Sequence, residues 1–296
     1  MICNNCPRLC GVDRLDRKGF CGMGRNPVLA KACLHQWEEP VISGTKGSGA
    51  VFFSGCSLSC IYCQNYAISH ERYGAEITVR QLSDIFLRLQ DQGAHNINLV
   101  NPTHFAQAII ESMDLVRHKL TIPVVWNSGG YENVETISAL EGYIDVYLPD
   151  IKYFSPRLSA DFSMAADYFE KAQKAVWEMY CQVGDVKMSS EDIILRGLII
   201  RHLILPNCTH DSLKILDWIG RTFKKGVMVS LMSQYTPNIK AEGIKALRRK
   251  VSKREYNLVI RRLMEINPEY GFIQDLDSAD GKYIPTFDLE GVMTEQ

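Results

Sequence analysis

An α/β fold built on a parallel sheet is predicted by two features of the sequence. From about residue 50 onward, short apolar runs rich in β-branched residues alternate with longer helical patterns, the signature of βαβ units. The runs are continuous rather than alternating, as expected of strands buried on both faces. The strand candidates in order are 50–54, 96–100, 122–126, 144–148, 198–205 and 227–232. Helical patterns cover 79–92, 105–118, 134–140, 159–183 and 211–223, and a last one lies within 240–266 with a break near 251–254. Thr78 is placed to cap the first of these and Gly93 to end it. Six βα units fall short of a closed eight-stranded barrel, leaving a partial open barrel or a doubly wound sheet. In both, functional residues gather at the C-terminal ends of the strands.

Composition narrows the function. The chain has 296 residues, is 46% hydrophobic and carries a formal net charge of -1, an ordinary globular balance. Balanced charge argues against bulk nucleic-acid or membrane binding. No apolar run approaches the ~20 residues of a membrane span, and the first residues lack the basic start and apolar core of a signal peptide. A cytosolic location is expected. There, the ten cysteines point to metal ligation or redox chemistry rather than disulfides. Eight of them stand at positions 3, 6, 10, 21, 33, 56, 60 and 63, and only Cys181 and Cys208 lie beyond.

Cys56, Cys60 and Cys63 follow the first strand candidate directly, with Gly55 at the turn. Soft thiolates select iron–sulfur clusters or zinc. Three cysteines on a four-iron cubane leave one iron open for chemistry. The competing account is a structural zinc loop completed by a distant ligand.

The C-x3-C-x2-C spacing with Tyr62 before the last cysteine resembles the radical S-adenosylmethionine (SAM) superfamily. The stretch from Phe52 through Ser69 resembles the PflX-type homologues of pyruvate formate-lyase activating enzymes. So do Asn101-Pro102-Thr103-His104, Trp126-Asn127-Ser128-Gly129-Gly130, Tyr147 through Lys152 and Arg196 through Asn207. This resemblance implies a partial (β/α)6 barrel over residues 49–296 with a C-terminal tail, preceded by a Cys-rich extension over 1–48. It also implies a [4Fe–4S] cluster on Cys56, Cys60 and Cys63, bound SAM, and cleavage of SAM to a 5′-deoxyadenosyl radical that abstracts hydrogen. The substrate it suggests is a glycine of a partner enzyme, with flavodoxin or ferredoxin as the low-potential electron donor. A maturase or small-molecule radical enzyme is the alternative. A non-enzymatic iron–sulfur or zinc protein is the other.

Superfamily members usually carry Gly-Gly-Glu-Pro where this chain has Asn101-Pro102-Thr103. Asn101 can still accept from the SAM ammonium through its amide oxygen; otherwise Asn-Pro is only a turn. Asn127 and Ser128 are candidates for ribose hydroxyls, with Gly129 and Gly130 permitting close backbone approach or merely forming a turn. Asp150 and Lys152 match residues at the active-site mouth of activating enzymes, unless they form an ordinary ion pair. Arg201, a charge inside a buried strand, needs a partner: the SAM carboxylate, bound bidentately, or a sheet carboxylate. His202, beside it, should face the opposite side as a packed core residue. Gln234 and Tyr235 fall where the family places an adenine contact. No general acid or base is assigned. Finally, Cys3, Cys6, Cys10 and Cys21, with Cys33 as a substitute, resemble a metal knuckle for zinc or a second cluster. The absence of ferredoxin spacing tilts this toward zinc.

Overall fold

The computed structural model describes residues 2–223, 225–237, 243–278 and 285–292. Among the described residues there are ten strands: β1 Val28–His35, β2 Ser48–Phe53, β3 Ala75–Glu76, β4 Ile97–Val100, β5 Val124–Ser128, β6 Val146–Pro149, β7 Lys187–Met188, β8 Ile194–Leu203, β9 Met228–Met232 and β10 Tyr270–Ile273. They form one sheet in the order β10-β9-β8-β6-β5-β4-β2-β1-β3, with β7 paired to β8. From β2 to β10 the seven strands on this path are parallel, while β1 is antiparallel to β2 and to β3.

This order decides between the two architectures. Successive parallel strands are always neighbours, so the order never reverses. Right-handed crossovers that step the same way each time place their helices on one face. The other face is left to curl around an interior. The sheet is therefore singly wound, a partial barrel with edges at β3 and β10, and the doubly wound alternative does not hold.

The expected helices form where the sequence places them, with two differences, and the short helices Pro40–Ser43 and Tyr66–Ser69 are additional. Thr78 caps Val79–Asp91 through a full capping box with Gln81, satisfying N–H groups that the first turn leaves open. The single helix expected over 159–183 is two, Pro156–Ser163 and Tyr168–Val183. Met164 between them turns left-handed at φ 52°, and Ser155 caps the first by accepting from Leu158 N–H. The last helix is Lys253–Ile266, capped by Ser252; positions 240–242 of the expected pattern lie outside the described residues. The remaining difference is in strands. Six were expected, and β1, β3, β7 and β10 are additional.

Side chains alternate along each strand. Trp126, Tyr147, Leu198, Ile200 and Val229 pack outward with the helices in the main core. Val125, Val146, Leu148, Ile199 and Met228 point inward, where Val41 and Ile42 of the short helix Pro40–Ser43 pack against them. This apolar plug closes the barrel floor and supports the site above it.

Candidate active site

The strands end in a cavity of about 420 Å³. Its lining includes Cys56, Cys60, Cys63, Tyr62, Asn101, Asn127, Ser128, Asp150, Lys152, Arg201 and Gln234. Except for Tyr235, the barrel residues whose side chains the sequence offers as cofactor contacts or cluster ligands therefore line one space.

The cysteine loop leaves β2 through Ser54 and Gly55. Gly55 has φ 80°, and a Cβ there would sit 2.5 Å from Met23 Cγ, so the turn needs glycine. Each sulfur accepts a hydrogen bond: Cys56 from Leu58 N–H (3.3 Å), Cys60 from the Ser163 hydroxyl (2.9 Å) and Cys63 from the Ser69 hydroxyl (3.2 Å). Ser163 is held in turn by Tyr153, whose hydroxyl also meets Tyr62 at 2.7 Å. Burial, reinforced by the neighbouring cysteines, pushes the Cys56 and Cys63 thiols up, while Lys152 opposes the rise. Three soft sulfurs on one loop, each with a donor, fit a cluster whose potential is tuned by such bonds.

The polar wall is an ion network. Arg201 donates from Nε to Asp150 Oδ1 (2.8 Å), from Nη1 to Glu38 Oε2 (3.2 Å) and from Nη2 to Asn127 Oδ1, with Glu39 Oε2 at 3.9 Å. Lys152 Nζ reaches Asp150 Oδ2 at 2.6 Å. Burial raises the Asp150 carboxyl, but Arg201 and Lys152 outweigh it and hold the group below its ordinary value. Burial pushes Glu38 and Glu39 the other way, and Arg201 only partly offsets it. Three carboxylates against two cations leave this layer short of positive charge.

Several candidate residues are thus already engaged. Arg201 holds sheet and loop carboxylates. Asn127 uses both ends of its amide, accepting from Arg201 and donating to Glu38 at 3.2 Å. Asn101, at φ 60°, donates its amide N–H to the Gly55 carbonyl and keeps its oxygen as the remaining polar atom. Ser128 accepts from Gly130 N–H at 3.3 Å. Gly130, at φ 75° with the Asp150 carbonyl 2.4 Å from any Cβ, is a structural turn. Gln234 accepts from Gln274 at 3.2 Å, and its backbone carbonyl accepts from Gln64 at 3.0 Å. Tyr235 turns away to donate to the Leu247 carbonyl. His202 packs on the outer face, bonded to the Ile151 carbonyl (2.7 Å) and Ser212 (2.9 Å), and burial lowers its pKa to about 4.

Sequence reasoning missed Glu38, Glu39, Ser69, Ser163, Ser230, Gln64 and Gln274. A signal existed only for the first two, an adjacent acidic pair before Pro40.

The N-terminal cysteines form their own group. Cys3, Cys6 and Cys21 are buried and Cys10 is half-buried. Cys33 lies apart on β1 opposite Ala50, with Lys31, Glu290 and Asp288 as its charged neighbours. Among the described residues no three His, Cys, Asp or Glu side chains converge closely enough to hold one metal ion. Among them, too, no helix is long and apolar enough to cross a membrane.

Comparison with known proteins agrees with the site. Residues 50–187 match the radical SAM superfamily. An uncharacterized protein of Methanocaldococcus jannaschii is 29% identical over 281 residues, covering 90% of this chain and 75% of that protein. A radical SAM methyltransferase from Sphaerobacter thermophilus superposes with a TM-score of 0.50 at 13% identity, over 78% of this chain and 69% of that one. Streptococcus suis SuiB, bound to precursor peptide SuiA, superposes with a TM-score of 0.50 at 12% identity, over 76% of this chain and 48% of SuiB. The chain thus spans about half the length of SuiB, and at these identities the two structures speak for the fold alone. The match to the radical SAM superfamily over residues 50–187 takes in the cysteine loop and implies a [4Fe–4S] cluster and SAM as cofactors.

Proposed function

We propose that this protein cleaves SAM reductively at a [4Fe–4S] cluster held by Cys56, Cys60 and Cys63. The observation that carries the reading is the shared cavity: three sulfurs, each with a hydrogen-bond donor, face strand-end polar residues across about 420 Å³. When bound, cluster and SAM supply one-electron cleavage of the sulfonium to methionine and a 5′-deoxyadenosyl radical, which removes hydrogen from the substrate. The chain's own residues bind and orient. The free oxygen of Asn101 would receive the SAM ammonium. Arg201, with donor hydrogens beyond those given to Asp150, Glu38 and Asn127, would receive the carboxylate. Ser128 and Asn127 would face the ribose and Gln234 the adenine, with Lys152 setting the field beside the sulfurs. Tyr62 keeps the loop in its aromatic bed.

A cavity of this size sits at the small end of ligand sites, so SAM would fill most of it and a substrate would approach from the mouth. That suits a backbone glycine presented by a partner enzyme, the reading favoured by the resemblance to pyruvate formate-lyase activating enzymes. Asn101-Pro102-Thr103 in place of Gly-Gly-Glu-Pro favours the second reading, a maturase or small-molecule enzyme. Flavodoxin or ferredoxin serves as electron donor in both.

The test is anaerobic reconstitution, reduction and measurement of 5′-deoxyadenosine from SAM. Wild type is expected to form it, and the Cys56→Ala, Cys60→Ala and Cys63→Ala variants to form none. Continued formation in the combined variant would overturn the assignment. Adding a candidate glycyl-radical enzyme separates the substrate readings, because only an activator transfers the radical to it.

A further inference from the structure

Both cysteine groups accept hydrogen bonds at sulfur. In the barrel loop, Cys56 accepts from Leu58 N–H, Cys60 from the Ser163 hydroxyl and Cys63 from the Ser69 hydroxyl. In the N-terminal segment, Cys10 accepts from Phe20 N–H at 3.2 Å. Two of the sulfurs meet at Gly19, where a Cβ would lie 3.3 Å from Cys10 Sγ and 3.8 Å from Cys21 Sγ. A thiol sulfur is a weak acceptor, and hydrogen bonds to sulfur are among the features that tune iron–sulfur centres.

Arg14 supplies an independent observation. Its side chain is buried, and among the described residues its one hydrogen bond goes to the His104 carbonyl, while Nε and Nη2 are buried with no partner; the guanidinium lies 5.3 Å from the Phe105 ring. A buried cation without a counter-charge is costly. Arg14 lines one small cavity together with Cys3, so negative charge on the sulfurs would balance it. Four thiolates around a metal centre supply it.

The same geometry bears on which centre. Four thiolates on one zinc stand at ~2.3 Å from a common point. Among the described residues no three candidate ligands converge on one ion, and the radical SAM cysteines do not either. A polynuclear centre spreads its ligands more widely.

We propose that Cys3, Cys6, Cys10 and Cys21 ligate a second, closed iron–sulfur cluster whose charge Arg14 balances. This reverses the tilt toward zinc that spacing alone suggests. The site abuts the first. Arg8 donates from Nε to the Ser57 carbonyl at 2.8 Å and from Nη2 to the Ser163 carbonyl at 3.1 Å. The Cys21 carbonyl lies 2.7 Å from a Cβ built on Gly55.

The test measures iron, sulfide and zinc in the anaerobically reconstituted full chain, in the Cys56→Ala/Cys60→Ala/Cys63→Ala variant and in a Cys6→Ser/Cys21→Ser variant. Each variant is expected to keep about half of the wild-type iron and sulfide. The cluster left in the first should give an electron paramagnetic resonance signal that SAM does not shift. The cluster left in the second should give one that SAM does shift. Iron lost entirely from the first variant overturns the second cluster and leaves the SAM-cleaving reading standing. Zinc in that variant overturns it likewise, as does iron unchanged in Cys6→Ser/Cys21→Ser. That last measurement decides the matter even where the triple variant fails to fold.

Discussion

The floor and the upper wall of the barrel are made by the same strands and the same inward face, two residues apart. Val125 gives way to Asn127 on β5, Leu148 to Asp150 after β6, Ile199 to Arg201 on β8 and Met228 to Ser230 on β9. Below, the inward residues are apolar and sealed by Val41 and Ile42. Above, they are polar and open on the cavity. Apolar burial in the lower layer stabilises without direction, at roughly 25 cal/mol per Å². The upper layer gains little net stability from its ion pairs, because desolvation offsets much of the attraction, but it fixes where charge sits. One segment serves both layers, since Glu38 and Glu39 enter the polar network and Val41 and Ile42 fill the plug directly after them.

Arg201 gives the largest contrast. It is 13% exposed and pairs with Asp150 and Glu38. Arg201→Ala leaves buried carboxylates without their partner and is expected to cost on the order of 3–5 kcal/mol. It should also weaken SAM binding roughly tenfold to a hundredfold if it meets the SAM carboxylate, an interaction worth about 1.5–3 kcal/mol. Arg201→Lys should recover only part of both, lacking the planar fork. Thermal unfolding and SAM affinity measured on the same variants check this. Unchanged stability would mean that this charge does not hold the polar layer.

Ile199, two residues before it and fully buried, is the matching position below. Ile199→Ala is expected to cost about 2–5 kcal/mol through lost transfer energy and a residual cavity. SAM affinity per folded molecule should be unchanged. A parallel loss of affinity would show that the floor shapes the site and would erase the distinction.

How legible these layers are in the sequence follows from how local their causes are. The cysteine loop is legible because its ligands lie within eight residues and its turn glycine precedes them. Asp150, Lys152 and Arg201 are legible as charges in or beside apolar strands. The parallel strands show as continuous runs, yet their winding does not, because neighbour order is a tertiary fact. β1 escaped because Lys31, Cys33 and two alanines in Val28–His35 break the β-branched pattern inside a Cys- and Gly-rich stretch. β10 is four residues with a glycine. The break at Met164 carries no glycine or proline signal, since a non-glycine residue takes the left-handed turn there. Glu38 and Glu39 look like a solvated loop pair. Only the docking of Pro40–Ser43 beneath the barrel brings them to Arg201, which no local spacing encodes.

Those two glutamates give the smallest effect and the one with a definite sign. Burial raises both carboxyls above their ordinary value, and Arg201 only partly offsets it. A carboxyl raised in the folded state binds its proton more tightly there than in the unfolded chain. Between the ordinary value and the raised one, the folded state therefore holds more protons, and stability falls as pH rises through that window. Glu39 is the better probe, because among the described residues its buried Oε2 has no hydrogen bond and stands 3.9 Å from Arg201. Glu39→Gln removes the titration while keeping the shape. The variant should be more stable than wild type at neutral pH, with the advantage shrinking as pH falls and vanishing near the ordinary glutamate value of about 4.3. Thermal unfolding of both proteins from pH 4 to 8 is the measurement. Parallel curves would mean that Glu39 titrates alike in both states and that the upper wall bears no cost of excess negative charge. A variant less stable at neutral pH would mean that the Glu39 charge is needed to hold Arg201, joining it to Asp150 and Glu38 as a working counter-ion.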